Sequence, residues 1–262
     1  MFSKAFWLIF NMFRHVFSVS ESTQRNSDGK NIICVLVEYD AFSQRDVKQV
    51  GHIRYKCGRA SLDLVQEKCL LRSIPVLRVV TSDGESFGKT TSCSDHELVI
   101  KNRGTDIAAL EDVFSEISNY QYVLFCNSSA PYEQISHYID EFFNVLESDT
   151  RNKAFVIGLN GNSRPSPALP WFHRKYPHIT SNFFCAQVSD VKNVLDIGSS
   201  SFLYPVLGGY GNKYFAIRYF ETLLSAYVIK KGGSLIAVGK SIRTFPEYEW
   251  FSKDSRLNEY SE

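Results

Sequence analysis

Two short polar stretches carry the residue types best suited to holding a charged ligand. One is Asn102-Arg103-Gly104, followed by Asp106; the other is Asn127-Ser128-Ser129. The first is a glycine-containing corner that opens an amphipathic run, with Ile107, Leu110, Val113, Phe114 and Ile117 at helical spacing as far as Asn119. The second closes an apolar run, Tyr122 to Cys126, that reads as a buried strand. In open α/β sheets, ligands bind beyond the carboxyl ends of strands. A helix start beside such an edge offers unpaired N–H groups to an anion. The unit from Lys101 to Pro131 therefore suits a phosphorylated ligand. Asp106 falls in the first helical turn, where the macrodipole favours a carboxylate whatever else it does.

The elements that must position these residues follow from hydrophobic pattern. Asn31 to Val37, Pro75 to Thr81, Glu97 to Ile100, Tyr122 to Cys126, Ala154 to Leu159 and Ser234 to Val238 read as strands. Ala60 to Leu71 and Tyr132 to Leu146 read as helices, as does the stretch from Tyr214, which stops at Lys230-Lys231-Gly232. Their apolar faces include Leu62, Val65, Cys69 and Leu70 in the first, and Phe220, Leu223, Leu224, Tyr227 and Val228 in the last. Ser86 to Asp95 is small and polar and reads as a loop, as does Asn160 to Pro170. Strands alternating with helices predict a single α/β domain with a doubly wound, mostly parallel sheet flanked by helices. The expected division is a segment over residues 1–30, the domain over 31–240 and a tail over 241–262.

Composition narrows the function classes. The chain has 262 residues, a net charge of +1 and 44% hydrophobic content. That suits one globular domain and argues against a broad nucleic-acid surface, so no nucleic-acid partner is expected. Six cysteines are scattered without a C-x-x-C pair, which gives no support for a zinc site or a disulfide framework. Cys34 and Cys126 read as small core residues. A cytoplasmic or membrane-associated setting is favoured, with a lumenal one left open. Residues 1–19 place Phe6, Ile9, Phe10, Phe13 and Phe17 on one helical face beside Lys4 and Arg14. Three readings stand for them: an interfacial helix in peripheral membrane contact, a helix packed on the domain, or a signal segment.

The order of these motifs resembles a known family. Asn-x-Gly-x-Asp, a helix, and a Tyr-led strand ending in Asn-Ser-Ser are similar to the rhamnan and capsular polysaccharide synthesis glycosyltransferases. They are more distantly similar to GT-A transferases of glycosyltransferase family 2. The resemblance covers Asn31 to Gly239 and implies a GT-A-like fold that moves a sugar from a nucleotide-sugar donor to a glycan or other hydroxyl acceptor. It implies donor contacts at Tyr39, Asn102, Arg103, Gly104, Asp106, Asn127, Ser128 and Ser129. The Arg-x-x-Glu ending at Glu221 resembles a late segment of the same enzymes, which makes Glu221 the candidate catalytic carboxylate. Such enzymes commonly hold Mg²⁺ or Mn²⁺ through carboxylates where this chain has Asn127-Ser128-Ser129, and neutral ligands weaken that expectation. The alternative is a non-catalytic nucleotide- or carbohydrate-binding protein on the same fold. Val194 to Ser201 (VLDIGSSS) is similar to the first motif of class I methyltransferases. It lacks that motif's further glycines, and only about sixty residues follow it, too few for the rest of that sheet.

Overall fold

The computed structural model describes residues 31–39, 47–50, 53–83, 88–91, 96–148, 154–159, 161–162, 178–240 and 242–245. The chain divides into two units, Met1–Lys30 and Asn31–Glu262. All described residues lie in the second. The readings of residues 1–19 fall outside them.

In chain order the elements are β1 (Ile32–Tyr39), β2 (Val47–Val50), β3 (Ile53–Lys56), α1 (Arg59–Leu70), β4 (Val76–Ser82), β5 (Gly88–Thr91) and β6 (His96–Lys101). There follow α2 (Asp106–Asp112), α3 (Phe114–Ile117), β7 (Tyr122–Asn127), α4 (Tyr132–Ser148), β8 (Phe155–Gly158), β9 (Gly161–Asn162), β10 (His178–Ile179) and β11 (Phe183–Gln187). The last are α5 (Val188–Ser199), α6 (Leu203–Leu207), α7 (Lys213–Ala216), a π-helical stretch (Ile217–Thr222), α8 (Leu223–Lys230), β12 (Ser234–Ala237) and β13 (Arg243–Phe245).

Nine strands form one sheet in the order β13-β12-β8-β11-β7-β1-β4-β6-β5. Six run the same way; β5, β11 and β13 run against them. The sheet is thus α/β and mostly parallel, with helices on both faces. β1 and β7 lie at its centre, and continuous apolar runs suit strands covered on both faces. Alternate residues part to the two faces. Cys34, Leu36, Leu124 and Cys126 meet α1 and α4 in one large core. On the other face Phe125 stacks on Phe184 at 5.3 Å, and Phe184 meets Phe220 at 5.7 Å. Among the described residues no helix is long and apolar enough to cross a membrane.

Several expectations are corrected. The 86–95 loop contains β5, whose polar Gly-Lys-Thr-Thr pairs antiparallel with β6 at the sheet edge. The helix expected to run to Asn119 breaks at Val113, so it forms two short pieces. Leu70 is 54% exposed rather than buried. Val194 to Ser201 is mostly helix α5 and not a strand and glycine loop. Gly198 has a packing reason instead: a Cβ there would lie 1.9 Å from the Tyr210 hydroxyl oxygen, which fills that notch.

Candidate functional site

The carboxyl ends of β1, β4, β6 and β7 lie along one edge, and β11 starts at that same edge because it runs antiparallel. At the end of β7 the main chain is held on three sides. Asn127 N–H donates to the Asn182 carbonyl at 3.0 Å, Ser128 N–H to Val37 at 3.0 Å, and Gly58 N–H to the Ser128 carbonyl at 2.8 Å. The Asn127 side chain is 4% exposed for the whole residue and used at both ends. Its Oδ1 accepts from Ser129 N–H at 3.0 Å and Ser129 Oγ at 2.7 Å. Its Nδ2 donates to Asp106 Oδ2 at 2.7 Å. The two polar stretches of the sequence therefore meet in space. Ser128 is half-buried, with its backbone tied and its hydroxyl without a hydrogen-bond partner among the described residues.

Asp106 is the first residue of α2. The helix start is capped by Thr105, whose Oγ1 accepts from Ala108 N–H at 3.2 Å. A capped start removes one of the open donors expected there, so the Asp106 side chain is the more distinctive polar group at this end. The Thr105 hydroxyl also donates to the Tyr210 carbonyl. Gly104 adopts φ 101° and closes a turn in which its N–H donates to Asn102 Oδ1 at 2.9 Å. A Cβ on Gly104 would lie 2.6 Å from the Gly211 carbonyl oxygen, and one on Gly211 would lie 2.2 Å from that of Arg103. Backbone packs directly on backbone here, which requires glycine at both positions.

A second cluster sits at the ends of β1, β4 and β6. Asp83 accepts from the Tyr39 hydroxyl at 2.5 Å and from Asn102 Nδ2 at 3.1 Å. The Tyr39 hydroxyl, and then the Asn102 amide, hold the Asp83 carboxyl below the usual carboxylate range. Asp83 reads in sequence only as half of an Asp-Gly turn. Its place beside Tyr39 follows from the pairing of β4 with β1, in which Thr81 lies opposite Tyr39.

Arg103 does not join either cluster. Its guanidinium reaches Asp112 at 2.5 Å, Glu111 at 3.0 Å and the Tyr204 hydroxyl at 3.1 Å. Burial works against its charge, but the Tyr204 hydroxyl and the two carboxylates raise its pKa overall. It braces α2 against α6, and the turn presents backbone and Asn102 instead of this cation.

Glu221 lies in the π-helical stretch. An inserted π turn changes which way a side chain faces, and such turns are frequent at functional sites. Glu221 Oε1 accepts from Ser181 Oγ at 2.6 Å and Ser181 N–H at 3.3 Å. Ser181 lies in the turn that feeds β11, beside Asn182, whose carbonyl receives Asn127 N–H. One chain of contacts therefore runs Glu221, Ser181, Asn182, Asn127, Asp106. Of the nine residues expected at the site, seven lie at this strand-end edge or in the turn and helix start beside it, Glu221 reaches it from the π-helical stretch through Ser181, and Arg103 is turned into a brace. Ser181 and Asp83 were not expected.

No family model and no curated protein matches the chain.

Among the described residues no group of three or more His, Cys, Asp or Glu side chains is arranged to hold a metal ion. The tripeptide contributes neutral groups, and the adjacent carboxylate of Asp106 is hydrogen-bonded to Asn127. A protein-built Mg²⁺ or Mn²⁺ cage does not fit this donor set, since such ions favour several charged or carbonyl oxygens.

Proposed function

We propose that this chain is a GT-A-like glycosyltransferase that moves a sugar from a nucleotide-sugar donor to a hydroxyl of a glycan or similar acceptor. The observation that carries the reading is the 2.7 Å hydrogen bond from Asn127 to Asp106. It joins the two motifs of the family resemblance at one strand-end edge, where open α/β sheets bind ligands. The antiparallel β11 pairs with β7, the strand that ends in the tripeptide, and starts at that same edge.

In this reading Tyr39 and Asn102, clipped together by Asp83, bind the nucleoside. Asp106, Asn127 and the hydroxyls of Ser128 and Ser129 border the diphosphate and donor sugar. Glu221 is the general base. Ser181 holds its Oε1, which orients the carboxylate and leaves Oε2 for the acceptor. The acceptor oxygen bonds to the anomeric carbon as the bond from that carbon to the phosphate oxygen breaks. The nucleoside diphosphate leaves with the electron pair, and Glu221 takes the acceptor proton.

The second reading is a nucleotide- or carbohydrate-binding protein without turnover. The lack of a carboxylate in Asn127-Ser128-Ser129 favours it. A thermal-shift panel of nucleoside diphosphates and their sugars tests both. A true ligand at a hundredfold excess over Kd should raise Tm by about 5 °C or more. Asp106→Ala should lose that shift while still folding. Transfer or hydrolysis of the hit, assayed with and without Mn²⁺, then separates the readings. Loss of turnover in Glu221→Gln with the nucleotide shift intact supports the enzyme, and tight binding with no turnover supports the binding protein. No shift with any nucleotide overturns the transferase and the nucleotide-binding protein alike.

A further inference from the structure

We propose that the outer side of α6 and the start of α7 form a docking surface for an anionic lipid bilayer. This does not rest on the transferase reading. Phe202 is 73% exposed, Val206 72%, Leu207 41% and Tyr214 59%. Phe202 and Val206 are four residues apart, so they share one side of the short helix. Large apolar side chains grouped this way mark an interaction surface more often than chance exposure does.

The patch is held outward by a rigid base. Tyr204, on the inner side of α6, bonds to Arg103 and to Glu111. Its ring packs edge-on against Tyr210 at 5.8 Å and Phe215 at 5.6 Å. Tyr210 and Phe215 are buried. With the inner side filled and tied, the exposed residues cannot turn inward without breaking these contacts.

Charge selects the occupant. Residues 197–220 contain no Asp or Glu and two cations, Lys213 and Arg218. Lys213 is exposed and adjacent to Tyr214. Aliphatic and phenyl groups beside a tyrosine and a lysine, with no carboxylate in the stretch, match the boundary between acyl chains and anionic headgroups. The patch also adjoins the strand-end site, because Gly211 packs on Arg103 and Gly104. Docking there would hold that site beside the lipid surface.

The test is co-sedimentation of the full chain with phosphatidylcholine vesicles, with and without phosphatidylserine. Wild type should bind the anionic vesicles. Phe202→Ser with Val206→Ser should weaken binding about tenfold or more. Lys213→Glu should weaken it less and chiefly at low salt. Leu70→Ser with Leu71→Ser removes comparably exposed apolar groups from the C-terminal end of α1 and should change nothing. Tyr214→Ser, on a separate helix, repeats the test if the double variant melts lower than wild type. The proposal is overturned if wild type ignores anionic vesicles, or if the patch variants bind as wild type does. Equal loss in the α1 control also overturns it. So does a concentration-dependent dimer that the patch variants abolish without any vesicle binding, which would assign the surface to a second copy of this chain.

Discussion

On one side of the sheet α1 and α4 press Leu62, Val65, Phe142 and Phe143 onto Cys34, Leu36, Leu124 and Cys126, all at 1% exposure or less. On the other side the space beside α2, α5 and α7 mixes phenyl rings, Phe184, Phe215 and Phe220 among them, with rings that carry hydroxyls. Tyr210 donates toward the Val194 and Leu195 carbonyls at 3.1 and 3.3 Å, and Tyr204 is tied to Arg103 and Glu111. Asp106 and Glu221 both come from helices of this second side. The contrast has a physical basis. Apolar burial is non-directional and supplies stability, whereas hydrogen bonds fix angles. A side chain that must face a ligand at a set angle is better supported by the second kind of packing.

The comparison can be broken by perturbing each side in turn. Phe142→Ala should cost about 3–5 kcal/mol in denaturant unfolding, yet leave any nucleotide-induced thermal shift in place. Loss of that shift in a folded variant would mean that the apolar side also shapes the site. Gly198→Ala should cost about 1–3 kcal/mol through overpacking. Adding Tyr210→Phe should restore part of it, because that removes the oxygen 1.9 Å from the new Cβ but leaves a ring carbon at 2.7 Å. No rescue in the double variant would mean that the hydroxyl is not what occupies the notch.

Alkaline titration distinguishes the sides without mutation. Burial, reinforced by neighbouring thiols, raises the Cys34 and Cys126 pKa values well above 9.0. As pH rises past 9.0 the unfolded chain releases these protons and the folded chain keeps them, so stability falls. At pH 10 the loss should be roughly 1 kcal/mol per thiol. Only above 10.0 should Tyr204 and Tyr210 add to it, since burial raises their pKa values too. Stability flat from pH 9 to 10 would contradict the sealed thiol layer. Smallest is Tyr210→Phe alone, at about 1 kcal/mol for one buried hydrogen bond, read from a urea melt.

The central strands were legible because burial on both faces leaves a continuous apolar signature, as in Ile32–Tyr39 and Tyr122–Asn127. Strand direction was not, because a doubly buried run such as Phe183–Gln187 looks the same read up or down the sheet. The edge strand Gly88–Thr91 has no apolar signature, since only one neighbour pairs with it and polar residues suffice. At the site, the meeting of Asp106 with Asn127 followed from motif order and strand-end logic. The Arg103 brace did not, because its partners Glu111 and Asp112 lie on the following helix and Tyr204 lies far along the chain. Nor did the π turn that carries Glu221, since an extra residue in a helix leaves no mark on a short apolar pattern.

Arg103, Gly104 and Gly211 meet main chain to main chain, with no side chain between to flex or repack. Side-chain layers act as cushions, since rotamers can yield by tenths of an ångström; bare peptide planes in contact cannot. The strand-end corner and the turn after α6 are therefore expected to shift together. A shift at Asn102 should therefore be passed to Gly211 and Tyr210, and a push on that outer turn should be felt at Gly104 and Thr105.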